Sequence, residues 1–407
     1  MEVESYGAGG TDNKLSISFV CPTNCVRRPI SEMSRMLAAQ GYNVGVGYPE
    51  SLACPTQEWA PNAKLEADSK VKKLKIPAYY LSSLRYNFPK LLSLFSWLKK
   101  VFKADIVHLW EYWYPLSVAV IFYALFTGQR KKLIMTTDGL VGYSYKPKDP
   151  WWLVPAFKIY TRTLGWFLFR IPGTLTTYGK AMLVFSRLAG VPMQKLNVIG
   201  TGIHLDNFQN VSSSDVEVLR QEFGILPDEQ VLLYLGMLSE RKGIATVIEV
   251  GEKLLESGWK GKVIIVGDAH GDEDYLAMVD SKYKDRILFP GGRTDVSAFM
   301  KLADCFLLAS EGEGLPGVVM EAMAASTACV ATNEGCTPDL IDNRVNGFLV
   351  KQGHIQGYLD GVRKILDNSE GFGKKARSKI EYFSWPIVLQ KYLDLYKKIV
   401  FGNGDGK

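Results

Sequence analysis

The sequence predicts an α/β protein made of two parallel-sheet domains that face each other across a cleft. Three observations carry this. At 407 residues the chain is too long for one ordinary core, and two domains of about 200 residues are the natural division. Strand-like apolar runs alternate with helix-like runs, the pattern of a parallel sheet flanked by helices. That alternation then restarts in the second half.

Leu15–Cys21 alternates apolar and polar residues and reads as a strand. A helix is expected from Pro29 to Gly41, where glycine suits the C-terminal stop. Strands follow at Asn43–Tyr48, Ile106–Leu109 and Lys132–Thr137, with a helix near Leu116–Phe126. In the second half, Val231–Gly236 reads as a strand, Ala245–Ser257 as a helix and Lys262–Gly267 as a strand. Ile287–Pro290, Cys305–Ala309 and Ala328–Ala331 supply later strands, and Val318–Ala325 a helix. The final helix, Trp385–Val400, has apolar positions broad enough to pack on more than one surface. The expected division is residues 14–203, 204–384 and a closing helix 385–401. Open α/β sheets bind ligands at their C-terminal strand edges, so the cleft is the expected site.

Composition narrows the function. A hydrophobic content of 47% and a charged content of 22% are those of a soluble globular protein. The formal charge of +6 comes without a dense basic stripe, which argues against nucleic acid as a partner. Six cysteines (21, 25, 54, 305, 329 and 336) form no CxxC pair and the four histidines are far apart, so no metal site is expected. Scattered thiols in apolar segments suit a cytosolic protein. Residues 1–13 read as a loose polar tail rather than a cleavable signal, and the longest mainly apolar run, Trp113–Thr127, is short for a membrane span.

The most informative stretch is Glu313-Gly-Leu-Pro-Gly-Val-Val-Met-Glu321. A buried strand leads into a glycine-bearing loop and then a helix N-terminus, an arrangement whose unpaired amides favour an anion. Two carboxylates beside it suggest a ligand that also presents hydroxyls: Glu313 can accept from a sugar, and Glu321 from a ribose diol. A strand-to-helix turn with a capping carboxylate is the plainer alternative.

With these residues in hand, the chain resembles the GT-B glycosyltransferases, specifically family 4. Glu313 and Glu321, with Gly314, Leu315 and Pro316 between them, fall on the family's paired-glutamate motif. Gly236-Met-Leu-Ser-Glu-Arg-Lys-Gly243 looks like its glycine-to-Lys-Gly loop, Val198–Phe208 is similar to its interdomain linker, and Phe383-Ser-Trp385 resembles the opening of its last helix. The resemblance implies two Rossmann-like domains and a retaining transfer from a nucleoside diphosphate sugar of UDP or GDP type, with no permanently bound cofactor and no metal. Glu313 would hold the donor sugar, Glu321 the ribose, and the Lys242 ammonium would stabilise the leaving diphosphate.

The chain departs from the family at two points. Met237 stands where the family usually has a phosphate-clamping arginine. Arg27, Arg28 or Arg241 could take its place, the first two beside a helix start at Pro29 that would leave the Ile30 and Ser31 amides open to a phosphate. Asp138 lies at or near a position where the family often carries a histidine; it could bind a sugar hydroxyl, orient the acceptor, act as a base, or simply make a turn before Gly139. His108, at a strand end, is either a cleft residue or a packed histidine, and the role of His204 in the linker is open.

Two first-domain stretches, Tyr79–Lys103 and Gly142–Gly173, combine aromatic and basic residues, among them Arg85, Trp97, Tyr145, Lys146, Lys148, Trp151 and Trp152. Such a mixture suits the headgroup level of an anionic bilayer. The expectation is a saccharide or lipid-linked acceptor handled by a peripheral protein on the cytosolic membrane face, the alternative being aromatics packed into a core or a dimer. A degenerate scaffold of the same fold that no longer turns over is a second functional reading. A dinucleotide oxidoreductase is disfavoured, because no GxGxxG follows a first strand in either half.

Overall fold

The structure is a computed structural model that describes residues 14–23, 26–50, 61–81, 86–144, 151–269 and 274–402. Arg85, Tyr145, Lys146 and Lys148 lie outside the described residues.

The first half folds around a seven-stranded, all-parallel sheet. Its strands are β1 (Ser16–Val20), β2 (Asn43–Pro49), β3 (Lys72–Ile76), β6 (Ile106–Trp110), β7 (Leu133–Thr137), β8 (Thr174–Thr177) and β9 (Leu196–Val198). They run in the order β3-β2-β1-β6-β7-β8-β9. A two-stranded antiparallel ribbon, β4 (Ala78–Leu81) and β5 (Tyr86–Pro89), branches off after β3. The second half folds around six parallel strands: β10 (Gln230–Leu235), β11 (Gly261–Val266), β12 (Ile287–Gly291), β13 (Cys305–Leu308), β14 (Cys329–Thr332) and β15 (Gly347–Val350). Their order is β12-β11-β10-β13-β14-β15.

In each sheet the strand order reverses once, between β1 and β6 and between β10 and β13. Loops after those strands diverge to opposite faces and leave a crevice at the carboxyl edge. The loops carrying Arg27, Glu111, Lys242 and Glu313 all leave those edges. β3 is an outer strand and carries Lys72, Lys73 and Lys75, a composition that discourages pairing with another chain. The sequence pattern missed it for that reason, since lysines mask the alternation.

The final helix, Trp385–Phe401, packs back on the first sheet. Trp385, Val388, Leu389, Tyr392 and Tyr396 join one buried cluster with Phe19, Ile106, Trp110 and Ile134. At about 1.5–3 kcal/mol for each large apolar side chain fully removed from water, this is a firm attachment. Backbone bonds tie its start to the linker, Trp385 N to Ile203 O at 3.1 Å and Ile203 N to Phe383 O at 3.0 Å. The halves also meet directly: the Asp339 carboxylate accepts from the amides of Lys180 (2.7 Å) and Ala181 (3.1 Å), at the start of the helix Met182–Ala189.

His108 belongs to this packing rather than to the cleft. It is fully buried, Nδ1 lies 2.7 Å from the Tyr396 hydroxyl and Nε2 lies 2.6 Å from Thr136 Oγ1, and Phe19, Trp110 and Tyr392 surround the ring. Burial lowers its pKa to about 3, so it is neutral. Of the two readings of His108, the packed histidine is the one found, and the cleft reading, in which it would serve an acceptor, is corrected. Both faces of β6 are covered, and on such a strand a polar residue does not declare whether it faces ligand or core.

Candidate active site

Between the two carboxyl edges lies a cavity of about 370 Å³. First-domain residues Arg27, Arg28, Asp138 and Tyr178 line one wall, Glu313, Gly314, Leu315 and Met320 the other, and Thr201–Ile203 of the linker the base. Of the residues singled out from sequence, Arg27, Arg28, Asp138, Glu313, Gly314 and Leu315 line it directly, whereas Gly236, Arg241, Lys242, Pro316 and Glu321 stand outside its lining.

The second-domain wall is built on two loops. After β10, Gly236 donates to Val266 O at 3.0 Å, and the chain turns through a short helical segment, Glu240–Lys242, before the helix Ile244–Glu256. Gly243 adopts φ +71°, and a Cβ there would sit 2.3 Å from Ala309 O, so only glycine lets this loop rest on the end of β13. That contact delivers Lys242 to Glu313: Nζ donates to Glu313 Oε1 at 2.6 Å, with the side chains 17% and 15% exposed. The Ser310 hydroxyl donates to the same oxygen. Arg241 turns to the same loop, Nη1 bonding Gly312 O at 3.0 Å and standing 4.0 Å from Glu313 Oε1. Met237 is half-exposed and supplies no charge.

Pro316 is the N-cap of the helix Gly317–Ala324. Glu321 is therefore little more than one turn into that helix, not two turns along as its spacing from Glu313 suggests. The loop is locked from behind by Gly335, whose φ is +55° and whose Cβ would fall 1.6 Å from Glu313 O. The amides of Gly314 and Leu315 find no acceptor among the described residues and remain available to a ligand.

Opposite stand two arginines with different work. Arg28 opens the helix Arg28–Ala39 and reaches across the cleft, Nη1 to Glu321 Oε1 at 2.7 Å. Arg27, one residue earlier, turns into the first domain and pairs with both Asp138 and Glu111, the latter at 3.2 Å. Burial alone would depress its pKa, but the two carboxylates hold it above the ordinary arginine value. Arg27 is thus already engaged with two carboxylates of its own domain. The amides of Ile30 and Ser31 also differ from expectation: both donate to Arg27 O, at 3.0 and 3.1 Å, and do not point at a phosphate.

Burial pushes the pKa of Asp138 up, yet Arg27 and a hydrogen bond from Glu111 outweigh it and leave the carboxyl below the usual range. A carboxylate so stabilised is a poor base and a good fixed acceptor for a hydroxyl. Glu111 was missed by sequence reasoning. It immediately follows β6, is wholly buried and has φ +63°, a backbone conformation rare outside glycine and one that clusters at functional sites. The signal was a lone carboxylate ending an apolar strand.

Trp151 and Trp152 do not line the cavity and are 81% and 53% exposed. His204 is held by the first domain, Nε2 2.9 Å from Glu32 Oε2.

Two family models match successive parts of the chain: "Glycosyltransferase Family 4" over residues 26–207 and "Glycosyl transferases group 1" over residues 215–382. Among curated relatives, N-acetyl-alpha-D-glucosaminyl L-malate synthase of Bacillus anthracis is 27% identical over 198 residues, 47% of this chain and 52% of its own. The UDP-Gal:alpha-D-GlcNAc-diphosphoundecaprenol alpha-1,3-galactosyltransferase of Escherichia coli is 26% identical over 218 residues, 52% of this chain and 56% of its own. The matched part thus spans about half the length of these relatives. Similar solved structures include a glycosyltransferase of Rickettsia africae, with TM-score 0.75 and 19% identity over 96% of this chain and 99% of that one. Anabaena HepE in complex with UDP and glucose superposes with TM-score 0.73 and 17% identity, over 94% of this chain and 100% of that one. With both halves matched and the two facing sheets in place, the chain belongs to glycosyltransferase family 4 and has the GT-B fold.

Proposed function

We propose that this protein is a retaining glycosyltransferase that moves a sugar from a nucleoside diphosphate sugar to a hydroxyl of a saccharide or lipid-linked acceptor. The observation that carries the reading is the opposition of two chemically distinct walls across one cavity. Glu313, held from behind by Lys242, and the Gly314–Leu315 segment stand on one side, and the Asp138 carboxylate on the other. Glu313 takes sugar hydroxyls, Glu321 takes the ribose diol, and Lys242 with Arg28 meets the diphosphate. Arg28 thereby fills the role that Met237 leaves open.

In the reaction the bond from the donor's anomeric carbon to the diphosphate oxygen breaks, and a bond from that carbon to the acceptor oxygen forms on the same face. The acceptor's proton passes to the departing phosphate oxygen. The protein supplies position and charge stabilisation. Asp138, an ionised acceptor rather than a base, orients the attacking hydroxyl. HepE's complexes with UDP and with UDP-glucose support a uridine donor.

For the acceptor we propose a lipid carrier at the cytosolic face of a membrane. Residues 69–205 carry twenty lysines and arginines against four carboxylates. Of these, Asp105 is turned onto Ser16 and Glu111 and Asp138 are in the site. Exposed Leu91, Leu92, Phe95, Phe126, Trp151 and Trp152 lie in the same segment, and ring contacts of 5.9–6.1 Å link Phe95 to Tyr123 and Phe126 through Phe122 to Phe167. Arg170 lies 3.5 Å over the Trp166 ring and Lys99 4.6 Å over Phe95. Apolar rings with unopposed cations favour an anionic bilayer. No helix among the described residues is long and apolar enough to cross one.

The deciding experiment is release of nucleoside diphosphate from a panel of sugar donors, with product anomeric configuration read by NMR. Turnover with retention on at least one donor supports the reading. Donor binding without turnover on any acceptor favours a non-catalytic scaffold, and inversion overturns the mechanism.

A further inference from the structure

We propose that Glu111 is a positioning residue: it carries the proton that lets two carboxylates share one arginine, and so fixes Asp138 as an anion facing the cavity. Its catalytic consequence rests on the glycosyltransferase reading above; its structural half does not.

The strand order β1-β6-β7 sets three chain ends side by side, and each contributes one charged group: Arg27 after β1, Glu111 after β6 and Asp138 after β7. Glu111 N donates to Thr136 O at 2.8 Å, continuing the β6–β7 ladder beyond its last pair. Its Oε1 lies 3.2 Å from Arg27 Nη1 and 3.4 Å from Asp138 N, and its Oε2 accepts from Thr137 Oγ1 at 3.3 Å. The same Arg27 nitrogen pairs with Asp138. One guanidinium nitrogen therefore serves two carboxylates in a place largely closed to water.

Two adjacent carboxylates cannot both ionise there at comparable cost, so one holds a proton. Solvent decides which. Glu111 has no exposure, whereas Asp138 is 28% exposed and takes the closer contact with Arg27. Burial first, and the Asp138 charge second, push the Glu111 carboxyl well above its usual range. The other titratable groups facing the cluster are the phenols Tyr112 and Tyr114 on Glu111's own segment and Tyr178 after β8, and the Cys336 thiol, all raised by burial and neutral. Neutral Glu111 donates to Asp138, leaving that carboxylate's exposed side for a hydroxyl in the cavity.

The positive φ of Glu111 fits this role. A strained backbone persists where its surroundings over-determine it, and here it aims a carboxyl beneath the site rather than into it.

Two variants and two readouts test the proposal. Glu111→Gln keeps a neutral donor and acceptor in the same shape, and Glu111→Ala removes both. Melting temperature against pH needs no substrate. A carboxyl protonated in the folded state and ionised in the unfolded state costs stability as pH rises between the two pKa values. The glutamine variant should therefore gain on the native protein by about 1.5 °C per pH unit from pH 5 upward. With donor and acceptor, Glu111→Ala should lose at least about 100-fold in kcat with donor KM little changed. Glu111→Gln should recover at least tenfold of that loss and lack the alkaline fall that Glu111 ionisation imposes on the native enzyme. A glutamine variant less stable than the native protein by an amount independent of pH would show an ionised Glu111 and overturn the proposal. So would equal activity loss in both variants. If the melting series holds and no donor is turned over, the reaction assigned above fails while the proton assignment stands.

Discussion

Replacing Lys242 by methionine removes one charge and little volume, and it separates a structural ion pair from a catalytic cation. Lys242 Nζ and Glu313 Oε1 are 2.6 Å apart with both side chains mostly buried. At an effective dielectric of about 20, two unit charges at that distance attract by about 6 kcal/mol. Desolvation offsets most of this, and a hydrogen bond to a charged group nets about 1.5–3 kcal/mol. Ser310 still donates to Glu313 and Arg241 stands 4.0 Å away, so the lower end applies. The melting temperature should fall by only a few degrees. Catalysis should suffer more, because charge develops on the departing diphosphate and a preorganised partner there is worth about 10²–10³ in kcat. The assay is steady-state diphosphate release with saturating donor, beside a melting curve. A variant that melts several degrees lower yet keeps kcat within threefold would refute the reasoning, for Lys242 would then only brace the Glu313 loop.

Arg28 and Glu321 bridge the open cleft, so a ribose must displace Arg28 from Glu321. Glu321→Gln should raise donor KM about tenfold or more with kcat nearly intact, whereas Arg28→Ala, with Arg28 42% exposed and its pair with Glu321 easily screened, should cost less in stability than in donor binding. His108 is buried neutral, its pKa depressed to about 3 against about 6.5 unfolded. Its contribution is complete above pH 6.5 and is lost as pH falls toward 3, so His108→Asn should flatten the acid side of the melting profile without changing kcat at pH 7.5. Gly335→Ala should strain the φ +55° turn by roughly 1–3 kcal/mol and push the Glu313 backbone aside, lowering activity more than tenfold in a still-folded protein. Replacing Trp151 and Trp152 with serine should weaken binding to anionic vesicles while leaving turnover of a soluble acceptor unchanged.

Much of the fold is legible because the second sheet's strands are mainly apolar runs, as β10, β11 and β13 show. β3 and the β4–β5 ribbon escape the same test, since outer strands need not be apolar. The second-domain site is equally legible, because Glu313, Glu321 and Lys242 sit on local motifs whose geometry the chain dictates within a few residues. The first-domain wall is not. Arg27 and Arg28 are neighbours in sequence, yet Arg27 is the extended N-cap and Arg28 the first helical residue, and that change of backbone sends one inward to Asp138 and the other across the cleft. Glu111 and Asp138 meet only because β6 and β7 are adjacent, and a list of strands does not contain that order.

The central claim is that a nucleoside diphosphate sugar is held between the two walls with its sugar on Glu313, its ribose on Glu321 and its diphosphate beside Lys242. A crystal structure with such a donor bound tests it most directly. The account predicts the ribose hydroxyls on Glu321 with the Arg28–Glu321 bond broken and Arg28 on the diphosphate. A nucleotide seated elsewhere, or one bound here with that bond intact, would contradict it.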